Sequence, residues 1–206
     1  MIVIVDYGMG NLHSIAKAFH RIGEESMISS SAKDIENADK LILPGVGHFK
    51  KAVENLKQLQ LWDVLNETVL VKKKPVLGIC LGMQLMAGNS EEGDADGLGW
   101  FDAEVVRFKV RDQLRFKVPH TGWNDAAVVK SSPLFKGIFE DAMYYFVHAY
   151  HFKCNNKDDI VTTTVYDYPF TSSVQKDNIF GVQFHPEKSH GSGEMLLRNF
   201  CDFRSE

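Results

Sequence analysis

Cys80 stands in Gly78-Ile79-Cys80-Leu81-Gly82, where a strand-like run ends on a thiol flanked by two glycines. A G-x-nucleophile-x-G turn from strand to helix forces the nucleophile into a strained backbone and lifts it from the sheet edge, while the glycines let neighbouring chain pass closely. A helix starting just behind Cys80 would aim its first N–H groups at the sulfur and favour the thiolate. The N–H of Leu81 would then be placed to bind an oxyanion. A thiol nucleophile needs a base, and the base needs an orienting acid. Phe184-His185-Pro186-Glu187-Lys188 supplies both, because Pro186 imposes an extended or turn conformation in which His185 and Glu187 point the same way. Each segment has a bland alternative: a small buried cysteine, and a surface loop with an incidental ion pair. Carried on separate elements of suitable type, they read as a Cys80-His185-Glu187 triad.

The elements around these residues are of the kind that could position them. Ile2 to Val5 is a β-branched run closed by Asp-Tyr-Gly-Met-Gly-Asn, after which Leu12, Ile15, Ala16, Phe19 and Ile22 recur at helical spacing. Lys40 to Leu43 repeats the pattern, ending in Pro44-Gly45-Val46-Gly47, and Phe49 to Val71 carries the spacing of a helix. Pro75 to Cys80 is the next strand, leading through Gly82 into a helix-compatible Met83 to Ala87. This alternation predicts βαβ units and a mostly parallel sheet covered on both faces. Past Gly97 the segments Ala103 to Phe108, Met143 to Val147, Ile160 to Tyr166, Phe170 to Gln175 and Ile179 to Phe184 are strand-like without long helices between them. They should extend the sheet with antiparallel pairs, and a last helix near Gly193 to Phe203 should close it. Ile179 to Phe184 would deliver His185 to the carboxyl edge of the sheet, where open α/β sheets place their sites. The Pro44 to Gly47 strand end could offer a second oxyanion N–H, although a lone GxG is equally a simple turn.

Composition narrows the function classes. The 206 residues fit one compact unit spanning 1–206, with no linker or repeat to mark a boundary. A formal charge of −4 leaves no electrostatic footprint for nucleic acid, and neither GxxxxGK[ST] nor GxGxxG is present for nucleotide phosphates. Cys80, Cys154 and Cys201 lie too far apart for a CxxC metal or redox motif, and their odd number argues against a disulfide framework. No metal or cofactor is expected, and a reducing cytoplasm fits best. The apolar run at Ile2 to Val5 is too short for a signal peptide or a membrane span.

Gly78 to Gln84 and His185 to Glu187 fit the pair G-[IV]-C-x-G-x-Q and H-P-E, and on them the chain resembles the class I glutamine amidotransferases. Within that class it is similar to the glutaminase subunits of imidazole glycerol phosphate synthases over nearly its full length. The likeness is carried by Asp6 to Asn11, Leu43 to Gly47, Gly78 to Leu85, Pro119-His120, Gly122 to Asn124, Tyr145 to His148 and Gly181 to Lys188. The resemblance implies a flavodoxin-like α/β amidotransferase domain that hydrolyses L-glutamine and passes ammonia to a (β/α)8-barrel synthase in a heterodimer. It also implies oxyanion donors at Val46 and Leu81, glutamine-binding residues at Gly47, Gln84 and Glu92, and a partner-facing surface or ammonia passage formed by Asn11, His120, Trp123, Asn124, Tyr145 and Lys188. Trp123 as a core residue and Lys188 as a solvated charge are the plain alternatives. Thr121, Ala149 and His48 depart from the commonest histidine-pathway pattern. Met86 to Ser90, Gly97 to Trp100, Asn124-Asp125 and Lys188 to His190 resemble a paralogous branch that supplies ammonia for sugar amidines in surface polysaccharides. Two further alternatives are a stand-alone cysteine hydrolase or chaperone, which Gln84 and H-P-E disfavour, and a non-catalytic partner-binding subunit, which the intact triad disfavours.

Overall fold

The computed structural model describes residues 1–204. Its first half is built of strand–helix units: β1 (Ile2–Val5), α1 (Leu12–Arg21), β2 (Ser26–Ser29), α2 (Ala32–Asn37), β3 (Lys40–Leu43), α3 (Phe49–Gln58), α4 (Leu61–Asn66), β4 (Val76–Ile79) and α5 (Leu81–Gln84). The second half is mostly strand: β5 (Asn89–Ser90), β6 (Ala95–Asp96), β7 (Ala103–Arg107), β8 (His120–Asp125), β9 (Ala127–Val128), β10 (Met143–His148), β11 (Tyr150–Cys154), β12 (Ile160–Tyr166), β13 (Tyr168–Lys176) and β14 (Ile179–Val182), closed by α6 (His190–Asp202).

Among the described residues twelve strands form one sheet, ordered β2-β1-β3-β4-β14-β13-β11-β7-β5-β6, with β12 paired to β13 and β9 to β12. The run β2-β1-β3-β4-β14 is parallel, and β13 turns the pairing antiparallel, as expected for the second half. β1, β3, β4 and β14 are buried along their whole length, which is what two-sided coverage of parallel strands demands. Alternation splits their side chains: Val3, Val5, Leu41 and Leu43 pack with Ile35, Phe49, Leu56 and Leu65 of α2 to α4. On the opposite face Ile2, Ile4, Ile42, Leu77 and Ile79 pack with Ile15 and Phe19 of α1 and with Leu196, Leu197 and Phe200 of α6. Because β1, β3, β4 and β14 run the same way, their carboxyl ends gather at one edge. Tyr7, Pro44 to Gly47, Cys80 and Gln183 to Glu187 all follow those ends.

Two expected helices differ. The stretch Phe49 to Val71 is broken at Gln60, which takes a left-handed conformation (φ 59°), and it ends in a π-helical turn, Glu67–Val71. The helix behind Cys80 is only four residues, Leu81–Gln84, instead of reaching Ala87, because Leu85 to Gly88 bend to meet the chain at Gly97 to Phe101 through backbone hydrogen bonds. So short a helix has little macrodipole to direct at the Cys80 sulfur.

β8 and β10 stand apart as a two-stranded antiparallel ribbon in which Trp123 faces Tyr145 and His120 faces His148.

Candidate active site

Cys80 sits in the elbow with φ 54° and ψ −110°, a backbone that costs a non-glycine residue about 1–3 kcal/mol and is held by its surroundings. The elbow glycines are needed for space. A Cβ on Gly82 would lie 1.7 Å from the Leu43 carbonyl oxygen, and one on Gly78 would lie 2.8 Å from the backbone of Gly82 and Met83. On the neighbouring strand, Val182 accepts from the Cys80 N–H at 2.8 Å, so β14 fixes the elbow and then runs on to His185. The His185 Nδ1 and Glu187 Oε1 are 2.7 Å apart, with both side chains buried. Burial by itself opposes the imidazolium, yet the negative charge available at Cys80 and the Glu187 carboxylate outweigh it and push the His185 pKa up to about 10. The His185 Nε2 is buried and without a hydrogen-bond partner, a ring nitrogen left open for proton transfer.

A cavity of about 310 Å³ is lined by Val46, Gly47, Cys80, Leu81, Gln84 and Glu92, with Pro119, Val147, His148, Ala149 and Tyr150 opposite. All six expected oxyanion, nucleophile and glutamine-binding positions therefore share one cavity. Leu81 begins α5, ahead of its first intrahelical hydrogen bond from the Gln84 N–H to Cys80, so its N–H is available. Glu92 is also structural: its Oε2 accepts from the Phe49 N–H at 2.8 Å, capping α3, whose own N-cap His48 makes no such bond. The Tyr7 hydroxyl donates to the Pro44 carbonyl and braces the second glycine-rich strand end.

The six residues grouped on a partner-facing surface do not share a face. Successive side chains on a strand alternate, so on β8 Trp123 points outward while His120 and Asn124 point inward. Trp123 is 44% exposed and packs edge-on against Tyr145, and Lys188 lies over the Tyr145 ring with its Nζ 5.5 Å from the centroid. His190, missed in the sequence, stacks flat on Trp123 at 5.1 Å with 4° between planes. His120, by contrast, is 2% exposed, which corrects its placement at the surface. Its Nδ1 is 3.1 Å from His148 Nε2, His148 Nδ1 is 2.8 Å from the Tyr150 carbonyl, and Asn124 Nδ2 is 3.4 Å from His120 Nε2. Asn11 caps α1 by accepting from the Ser14 N–H.

Sequence reasoning also missed Gln183. It follows β14 directly, is fully buried, and donates from Nε2 to the Cys80 Sγ at 3.6 Å. Its only sequence signal was its place two residues before the base. Among the described residues no group of three or more His, Cys, Asp or Glu side chains is arranged to hold a metal ion, and no helix is long and apolar enough to cross a membrane.

A cysteine on a strained elbow, a buried His–Glu pair and a small cavity lined by the cysteine, on an α/β sheet, are the parts of a thiol-dependent amide hydrolase. Residues 3–202 match the family Glutamine amidotransferase class-I, and the chain belongs to that family. It is 50% identical over 203 residues to the imidazole glycerol phosphate synthase subunit HisH 1 of Campylobacter jejuni strain 81-176, covering 98% of this chain and 99% of that one. It is 47% identical over 202 residues to the subunit HisH 2 of Pseudomonas aeruginosa, with 98% and 99% covered. A solved glutamine amidotransferase superimposes with a TM-score of 0.76 at 19% identity, covering 98% of both chains, which establishes the likeness of fold.

Proposed function

We propose that this glutamine amidotransferase is the glutaminase subunit of an imidazole glycerol phosphate synthase, hydrolysing L-glutamine and passing ammonia to a (β/α)8-barrel partner for histidine biosynthesis. The observation that carries the chemistry is the buried His185–Glu187 pair beside Cys80, opening on a cavity edged by the Val46 and Leu81 backbone. The Cys80 thiolate attacks the side-chain amide carbon of glutamine, and the N–H groups of Val46 and Leu81 hold the oxyanion. His185 protonates the leaving ammonia, then activates water to hydrolyse the thioester to glutamate. Glu187, bonded to Nδ1, fixes the tautomer that presents Nε2 to the sulfur side. Gly47, Gln84 and Glu92 orient the rest of the substrate.

The outward cluster of Trp123, Tyr145, Lys188 and His190 has the aromatic and cationic character of an interface hot spot, and we assign the barrel partner to it. Free thiols at Cys80, Cys154 and Cys201 fit a cytoplasmic setting. The surface-polysaccharide alternative draws no support from the relatives, which carry the synthase name over their whole length.

Ammonia released without an acceptor is wasted, so hydrolysis is gated by docking. The Val46–Gly47 peptide is the movable donor: Gly47 has φ 114°, and Val46 is 40% exposed. One absent oxyanion donor lowers turnover roughly a hundredfold to a thousandfold. Glutamate release is to be measured for the free subunit and for the complex reconstituted with the barrel, each with and without Cys80→Ala. Slow hydrolysis alone, a rise in the complex and none with Cys80→Ala support the proposal. Retained hydrolysis by Cys80→Ala refutes the nucleophile, and equal rates in both states refute the gating.

A further inference from the structure

We propose that Gln183 is the residue that holds the Cys80 sulfur in its reactive ionised form, by a hydrogen bond from its side-chain amide, and that Gln84 fixes which end of that amide faces the sulfur.

The Tyr150 oxygen can only accept, so the Gln84 side-chain group 2.9 Å from it is the nitrogen, Nε2. That same nitrogen lies 3.1 Å from Gln183, which must therefore present its oxygen, Oε1. With its oxygen so committed, Gln183 turns Nε2 toward Cys80, where it donates to Sγ at 3.6 Å. The amide cannot reverse without setting two oxygens against each other on one side and losing the donor on the other. The backbone supports the same geometry from both sides: the Gln183 N–H donates to the Ser172 carbonyl at 2.9 Å, and Val182 accepts from the Cys80 N–H.

A fully buried amide aimed at the nucleophile favours the thiolate over the thiol, since an N–H donor stabilises the charged acceptor more than the neutral one. The four-residue α5 leaves that task open. Neither does Gln183 line the substrate cavity, whose walls include Gln84 but stop short of it. Its effect should therefore fall on turnover and on thiol reactivity, with glutamine affinity left alone. Gln84 acquires a second duty, as a strut behind the nucleophile as well as a wall of the substrate cavity.

Gln183 has this role only if Cys80 is the nucleophile proposed above, and thiol alkylation separates the two claims because it needs no glutamine. The rate at which iodoacetamide modifies Cys80 is to be followed by peptide mass spectrometry across pH in the full chain, for wild type, Gln183→Leu, Gln183→Glu and Gln84→Leu. Gln183→Leu should move the alkylation profile upward by about one pH unit, roughly tenfold less thiolate below the midpoint. Its kcat should fall by a similar factor in the reconstituted complex, with KM for glutamine within about twofold. Gln183→Glu should shift the profile further, because a carboxylate repels the thiolate. Gln84→Leu, which keeps the amide but frees it to turn, should shift it in the same direction by less, and this variant carries the test if Gln183→Leu fails to fold. Superimposable profiles for wild type and the folded variants overturn the inference, as does a rise in KM with an unmoved profile. Hydrolysis that survives Cys80→Ala refutes the nucleophile instead.

Discussion

The N–H of His185 donates to the carbonyl of Tyr145 at 2.9 Å, so the proposed base hangs by its backbone from the strand whose outward side chain faces Trp123. Ser189 completes the tie, its hydroxyl donating to the His185 carbonyl at 2.6 Å and accepting from the Tyr145 N–H at 3.0 Å. A displacement of β10 thus reaches His185 through three hydrogen bonds.

Removing that hydroxyl tests the tie. Ser189→Ala leaves the Tyr145 N–H at a buried junction without its acceptor, a cost of about 1–3 kcal/mol, while the His185 carbonyl keeps the Lys188 N–H at 3.0 Å. The loosened imidazole should lower kcat about tenfold with little change in KM. Chemical denaturation and steady-state kinetics check both, and an unchanged kcat would show that the backbone bond to Tyr145 and the Glu187 contact position His185 without the Ser189 hydroxyl.

A glutamine-like electrophile should label Cys80 and spare the other two cysteines. Burial pushes the Cys154 thiol up to about 11 and the Cys201 thiol up to about 12, so neither offers appreciable thiolate near neutral pH. Peptide mapping after stoichiometric labelling reads the result, and comparable modification at all three sites would contradict it.

Acid should weaken the fold through the inward histidines. Burial holds His120 at about 4, against an ordinary 6.5, and lowers His148 and His151 as well. Below pH 6.5 the unfolded chain therefore binds more protons than the folded one, and stability declines as the pH falls from 6.5 toward 4. His185 acts at the other end of the scale, its contribution full below 6.5 and lost as the pH rises toward about 10. Denaturant midpoints measured across pH 4 to 7 should fall on the acid side, and His120→Phe should flatten the fall. A slope identical in wild type and variant would remove His120 from this account.

Gly82→Ala should destabilise the whole chain by about 3 kcal/mol or more, because the added methyl would lie 1.7 Å from backbone oxygen on another strand. Thermal melting decides it, and a variant that melts with the wild type would mean that β3 and β4 can separate freely.

The elbow at Cys80 and the His185–Glu187 contact were legible in the sequence because their geometry is local. The elbow is written by Gly78 and Gly82, and the reach of Glu187 to His185 by the intervening Pro186. The parallel core was legible for a similar reason, since strands buried on both faces must be continuous apolar runs. Edge and ribbon elements were not. Ser26–Ser29 is half-buried and half serine, and His120–Asp125 alternates polar residues on both faces, so neither shows an apolar signal. Gln60 breaks the Phe49 to Val71 helix with a left-handed residue that is not glycine, which no spacing rule announces. That His120 and Asn124 lie on the face of β8 opposite Trp123 was not visible from motif proximity, which ignores strand parity. Gln183 was hidden in a segment read only as strand, and its significance appears only when Cys80, Gln84 and Tyr150 from three other segments converge on it.

Gly82 against Leu43 has a mechanical meaning. A Cβ on Gly45 would lie 2.6 Å from the Tyr7 hydroxyl and 2.7 Å from the Leu81 Cβ, so the two strand ends meet with no clearance. At Gly47 the equivalent position meets only the tip of the Met9 side chain. The segment behaves as a cantilever clamped at Gly45 and free from Val46 onward. Whatever moves there does so as a single peptide rather than as a loop, and a lever that short can be thrown by a light touch without disturbing Cys80 beside its root.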